Sequence, residues 1–307
     1  MKKEVVIATR GSKLALWQAE YIKSEIENHH KDISCRLEII KTMGDKILDV
    51  PLAKIGGKGL FVKEIETALL ENKADLAVHS MKDVPMELPA GLELYESPVC
   101  EEPNDAFLSI RYNTLDELPI GAKVGTSSLR RKLQLLEIRP DLEVIDLRGN
   151  VQTRMQKLQD GMYDAIILAY AGLKRLELTD NVKEILLVEK MLPASCQGIL
   201  GLEIRSNDEN IKNILSFIGD KPSYTRALCE RAFLRKLQGG CQIPIGCHSI
   251  LKDDKIYVKG IIYNLDGSKK IEKEYTGDIS NPENAGERLA EMVLAAGGDE
   301  ILKEIYS

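Results

Sequence analysis

Three kinds of residue in this chain have the type and setting for chemistry. The first is Cys241, in the stretch Lys236 to Cys247 that reads KLQGGCQIPIGC. A helical pattern from Ser223 to Leu237 runs into Gly239-Gly240, which are expected to supply positive φ and end it, and Pro244 keeps any helix from resuming. Cys241 is therefore expected at the tip of a tight, exposed loop. A thiol held there can form a covalent bond, because the thiolate is the nucleophile and needs access. The plainer alternative is a small buried hydrophobe.

The second is Lys82-Asp83, in His79-Ser80-Met81-Lys82-Asp83-Val84-Pro85. This segment follows a predicted strand, Asp75 to Val78, at the kind of strand end where open α/β sheets place ligands. A cation beside a carboxylate supports the charged form of each; a merely solvated pair is the alternative. The third is a set of arginines. Val124 to Thr126 enters Ser127-Ser128-Leu129-Arg130-Arg131, Glu143 to Leu147 delivers Arg148-Gly149-Asn150 with Arg154 one turn on, and Asp164 to Ala169 ends at Tyr170 to Arg175. Two arginines in a helix's first turn oppose its dipole, so an anion is expected to compensate them. Arginine grips carboxylates through two hydrogen bonds. At the N-terminus, Glu4 to Thr9 runs straight into Arg10-Gly11-Ser12, with Ser12 as N-cap of a helix marked by Leu16, Ala19, Ile22 and Ile26, again an anion-binding arrangement.

The elements that must position these groups alternate strand and helix, which predicts α/β lobes with mainly parallel sheets. Met43 to Gly59, rich in glycine and including Lys54 and Lys58, lacks a period and reads as a mobile loop at about 43–59. A helix is expected over Leu60 to Asn72, and the pattern breaks at Glu101 to Asn104 before a strand from Asp105 to Ile110. Leu192 to Arg205 returns the chain to the first lobe. Three strands and a helical stretch over Pro282 to Leu302 then form a small C-terminal α+β domain. The expected division is 1–99 with 200–217, then 104–193, then 219–307.

Composition bounds the rest. With 307 residues, 44% hydrophobic and 29% charged, the chain has the make-up of a globular protein with more than one domain. No apolar run approaches the ~20 residues of a membrane span, and no signal peptide is recognisable at the start. Six cysteines without a disulfide framework lead to the expectation of a reducing cytoplasm. No spacing matches a metal motif, so no metal is expected. A net charge of −6 argues against general nucleic-acid binding, yet Ala122 to Arg175 holds ten Lys/Arg against six Asp/Glu. A cationic region in an acidic chain suits a compact anionic ligand.

Several blocks in order, IATRGSKLALWQ, GGKGLFVKEIE, DLAVHSMKDVP, VGTSSLRR, LRGNVQTR, AGLKRL and GGCQIPIG, closely resemble hydroxymethylbilane synthase, or porphobilinogen deaminase, along nearly the whole chain. The resemblance implies two periplasmic-binding-protein-like lobes with a cleft between them. It implies a covalent dipyrromethane cofactor joined to Cys241 by a thioether. Asp83 would be the catalytic carboxylate, stabilising the azafulvene cation formed as ammonia leaves. Arg10, Ser12, Lys82, Thr126, Ser127, Ser128, Arg130, Arg131, Arg148, Arg154 and Arg175 match positions that hold acetate and propionate groups, and Lys54 and Lys58 lie in the matching active-site loop. Porphobilinogen would be the substrate, with the product 1-hydroxymethylbilane passed to the next enzyme of the pathway, and the protein a cytoplasmic monomer. A non-catalytic two-lobed carboxylate-binding protein would share the fold and the arginines but would have no use for Cys241. A regulatory or nucleic-acid-binding module on the same lobes is disfavoured by the acidic charge. Two positions depart from the pattern: Cys196, expected to be buried and inert rather than near the site, and Gln238 in place of an acidic residue before the glycines.

Overall fold

The computed structural model describes residues 3–46, 59, 61–240 and 243–306. The chain forms two compact units, Met1–Glu101 with Ile199–Tyr224, and Glu102–Gly198 with Thr225–Ser307.

In unit 1, β1 (Glu4–Thr9) is flanked by the parallel strands β2 (Ser34–Ile39) and β3 (Leu76–Ser80). The returning strand β10 (Leu200–Arg205) pairs antiparallel with β3 and with the edge strand β4 (Leu92–Tyr95). Successive side chains of β1 point to opposite faces. Val5 and Ile7 join Ile22 and Ile26 of helix α1 (Lys13–His29) in one core layer, while Val6 and Ala8 join Ile65 and Leu69 of α2 (Lys63–Leu70) in the other. A sheet covered on both faces requires an unbroken apolar strand, which is why EVVIAT reads as it does.

Unit 2 repeats this plan. β6 (Lys123–Gly125) lies between the parallel strands β7 (Glu143–Ile145) and β8 (Ala165–Ala169), and β5 (Asp105–Ser109) pairs antiparallel with β8 and with β9 (Glu184–Leu186). The order β2-β1-β3-β10-β4 in unit 1 is matched by β7-β6-β8-β5-β9 in unit 2. In each sheet the fourth strand belongs to a segment that carries the chain from one unit to the other. Both sheets are thus mainly parallel, as expected, with one antiparallel strand, β10 or β5, set against the others.

The C-terminal part of unit 2 is an antiparallel meander of β11 (Ile245–Lys252), β12 (Lys255–Tyr263) and β13 (Lys270–Asp278). Its first hairpin turns on Asp253 and Asp254, both at positive φ, as a two-residue turn with the twist of its strands requires. Ile261 and Tyr263 pack on Leu133 and Leu192, joining the meander to the lobe. The helical stretch expected over Pro282 to Leu302 comprises Pro282–Val293 and Asp299–Tyr306, parted where Gly297 turns the chain at φ 103°.

Candidate active site

In unit 1, β1 ends at Thr9 and β3 at Ser80, and because the strands are parallel neighbours their C-terminal ends bring Arg10, Ser12 and Asp83 to one edge of the sheet. Ser12 caps α1, its Oγ accepting from the Ala15 N–H at 3.3 Å. One 3₁₀ turn over Met81–Asp83 follows β3, leaving Lys82 half-buried and Asp83 exposed at the rim. Arg10, Ser12, Gln18, Phe61, His79 and Asp83 line a cavity of about 80 Å³.

Three contacts around this cavity lay outside the sequence reading. Gln18, buried where Leu16 was expected, donates from its side-chain amide to Ser80 Oγ at 2.9 Å. His79 Nε2 lies 2.9 Å from Oε2 of the fully buried Glu203. Burial, and then the charge of Glu203, raises the carboxyl pKa of Glu66 in the same layer. Arg10 is engaged by Asp45, whose carboxyl pKa lies below the ordinary range: burial opposes ionisation, and hydrogen bonds from Arg10 and Thr42 outweigh it. A polar residue beside an apolar helical stripe was the one local signal for Gln18; Asp45 carried none.

In unit 2 the three parallel strands again deliver their followers to one edge. β6 leads through Thr126, Ser127 and Ser128 into α3 (Leu129–Ile138), β7 through Arg148 into α4 (Val151–Gln159), and β8 into α5 (Tyr170–Arg175). Ser128 and Asn150 cap α3 and α4. Thr126 Oγ1 accepts from the Ser128 N–H at 3.2 Å, and Ser127 Oγ donates to the Leu147 carbonyl at 2.5 Å.

The anion that compensates Arg130 and Arg131 is part of the protein. Asp105, the fully buried first residue of β5, accepts from Arg131 Nε at 3.0 Å and Nη2 at 2.7 Å, and lies 2.8 Å from Arg130 Nη1. Gln197 Nε2 adds a bond at 2.9 Å. Burial alone would raise the Asp105 pKa; the two guanidinium charges outweigh it and hold the carboxyl far below its ordinary range. Arg131 Nη1 donates to the Ile167 carbonyl at 3.1 Å, and Arg130 Nη1 to the Leu192 carbonyl at 2.7 Å. These two arginines thus organise the interior of the lobe. Arg175 is also buried and bonds the Gly198 carbonyl at 2.7 Å. Arg148 and Arg154 are half-buried; Arg154 Nε donates to the Gly149 carbonyl at 2.7 Å, and Arg148 Nε lies 3.8 Å from Asp146.

Cys241, Lys54 and Lys58 lie outside the described residues. The approach to Cys241 differs from expectation. Helix α6 (Lys221–Lys236) ends on Gln238, which takes the positive φ of 53°, rather than on the glycines. At Gly239 a Cβ would stand 2.4 Å from Leu234 Cδ1, so a larger residue there would displace that side chain. Cys196 is buried, also at positive φ (60°), with its N–H bonded to Glu230 at 2.6 Å. Burial first, and then Glu230, pushes its thiol well above the usual pKa, which disfavours the nucleophilic thiolate.

Comparison with known proteins bears on both units. The family described as "Porphobilinogen deaminase, dipyromethane cofactor binding domain" matches residues 5–213, and "Porphobilinogen deaminase, C-terminal domain" matches residues 224–295. The porphobilinogen deaminase of Nitratidesulfovibrio vulgaris (strain DP4) is 56% identical over 307 residues, covering 99% of this chain and 98% of that protein. That of Maridesulfovibrio salexigens is 52% identical over 304 residues, with 99% of each covered. Among solved structures, the methionine-binding protein MetQ aligns at a TM-score of 0.45 and 11% identity, over 73% of this chain and 90% of its own.

Proposed function

This chain belongs to the porphobilinogen deaminase family, and from that membership we propose how its own residues divide the work. The activity is that of hydroxymethylbilane synthase, a transferase that joins four porphobilinogen molecules head-to-tail with loss of ammonia and releases 1-hydroxymethylbilane for tetrapyrrole biosynthesis. Its cofactor is dipyrromethane, which when bound supplies the covalent primer for elongation. The observation that carries this reading is 56% identity along 99% of the chain, including the C-terminal domain that a simple carboxylate-binding protein would lack.

Within it, Cys241 is the attachment point, through a thioether. The donor set fits a polycarboxylate: guanidinium and hydroxyl groups of Thr126, Ser127, Ser128, Arg148 and Arg154 gather at one sheet edge of unit 2, where charge-assisted hydrogen bonds to acetate and propionate groups are strongest. Arg130, Arg131 and Arg175 support that edge from within, since their guanidinium groups bond to Asp105 and to backbone carbonyls. In unit 1, Arg10, Ser12 and Lys82 receive carboxylates beside Asp83. The Asp83 carboxylate opposes the positive charge that develops on the substrate as the C–N bond breaks and ammonia departs. It then accepts the proton released when the new C–C bond forms, a preorganised electrostatic role. Lys54 and Lys58 contribute further positive charge. The chain is organised as three domains, 1–99 with 200–217, 104–193 and 219–307, and works as a cytoplasmic monomer that passes its product to the next enzyme of the pathway.

Intact mass tests the assignment. Protein purified from a porphobilinogen-producing host should be heavier than its sequence by two linked pyrroles, and Cys241→Ser should abolish the excess. An unmodified wild-type mass, or an excess that survives Cys241→Ser, would overturn the attachment.

A further inference from the structure

Arg10 is held on an edge and on a face, by residues to which no role has been given. Its Nε donates to both carboxylate oxygens of Asp45, at 3.2 and 3.3 Å, and its Nη2 donates to Oδ1. This closes the Nε–Nη2 edge of the guanidinium. The Phe61 ring covers one face, with its centroid 4.2 Å from Cζ, a cation–π distance. Asp45 is itself clamped: Oδ2 accepts from Thr42 N–H at 3.2 Å and Thr42 Oγ1 at 2.9 Å. The turn is tied to α2 by the Met43 N–H, which donates to Glu64 at 3.0 Å. Gly44 leaves the space that the Phe61 ring occupies, since a Cβ there would stand 2.1 Å from Phe61 Cε1. Arg10 remains in the wall of the cavity it shares with Ser12 and Asp83.

A guanidinium has two edges able to grip a carboxylate. With one committed to Asp45, the Nη1 end is the part left for a ligand. We infer that Asp45 and Phe61 are positioning residues, which fix the Arg10 guanidinium so that its second edge meets a substrate carboxylate. This rests on the reading that Arg10 binds such a group. An arginine otherwise spreads over many rotamers, and holding it beforehand removes that ordering cost from the binding step. The effect therefore belongs to substrate binding and not to turnover.

The test is steady-state kinetics on holoenzyme whose two-pyrrole mass has been verified, with porphobilinogen as the varied substrate. Asp45→Asn should raise KM about tenfold with kcat within about twofold. Asp45→Glu should recover part of the loss. Gly44→Ala, which displaces Phe61 without touching charge, should move KM in the same direction. Arg10→Ala should raise KM, and adding Asp45→Asn to it should cost nothing further, since the two act through one contact. An unchanged KM in both Asp45→Asn and Gly44→Ala, against a raised KM in Arg10→Ala, would overturn the positioning role. A lowered KM in Asp45→Asn would overturn it too, because Asp45 would then be a competitor for Arg10. An unchanged KM in Arg10→Ala would instead remove the binding role of Arg10 itself, and the inference with it.

Discussion

Replacing Asp105 by asparagine should destabilise the protein severely, because residue 105 is buried inside the lobe rather than exposed at its edge. Asp105 has no exposed surface and is contacted by Arg131 at 2.7 and 3.0 Å, by Arg130 at 2.8 Å and by Gln197 at 2.9 Å. Asparagine preserves the shape and one acceptor oxygen. It removes the negative charge, leaving two adjacent guanidinium groups that are only 4% and 6% exposed. Taking one partner from a buried ion pair costs about 3–5 kcal/mol, and the retained acceptor places this case near 3 kcal/mol. Against a total of about 5–15 kcal/mol, that is a large fraction. The assay is urea unfolding followed by circular dichroism at pH 7, with the loss taken from the midpoint shift and slope. The same carboxyl has a pH signature. Its folded pKa is depressed, so its contribution is complete above the unfolded value of about 3.9 and is lost as pH falls below that toward the folded value. Wild-type stability should therefore fall more steeply below about pH 4 than that of Asp105→Asn. A loss under about 1 kcal/mol at pH 7, or identical acid slopes in the two proteins, would refute the reasoning.

Asp83→Asn should lower kcat by at least about a hundredfold with porphobilinogen binding largely kept, since the change removes charge but little shape; near-normal turnover would mean a different carboxylate acts. Arg148→Ala, at a side chain 24% exposed, should keep the circular dichroism of the wild type and yet emerge without the two-pyrrole mass or stall in elongation; normal cofactor content and turnover would remove it from the site. Iodoacetamide at pH 8 should leave Cys196, Cys229 and Cys247 unlabelled in the native protein and label all three in urea, as read by peptide mapping. Burial first, and then the negative charge of Glu230, raises each of these thiols, so pH 8 lies far below their ionisation. Native labelling of Cys196 would show that it is not enclosed.

What the amino-acid order determined unaided was whatever depends on near neighbours. The unbroken apolar run of β1, the caps at Ser12, Ser128 and Asn150, and the arginines that follow strand ends are set by periodicity and by groups within one turn. Motifs in fixed order carried the family and its chemistry. Other features waited on which segments the fold brings together. The two arginines at the start of α3 signalled a missing anion, but Asp105 could be identified only once β5 lay antiparallel beside β8. The Arg10–Asp45 contact spans 35 positions, and Gln18–Ser80 spans 62. The helix end before Cys241 turned on Gln238 rather than on a glycine. Backbone preference is a local energy and can be read along the chain. Charge compensation and steric room are sums over neighbours in space, and only the folded sheets say who those neighbours are.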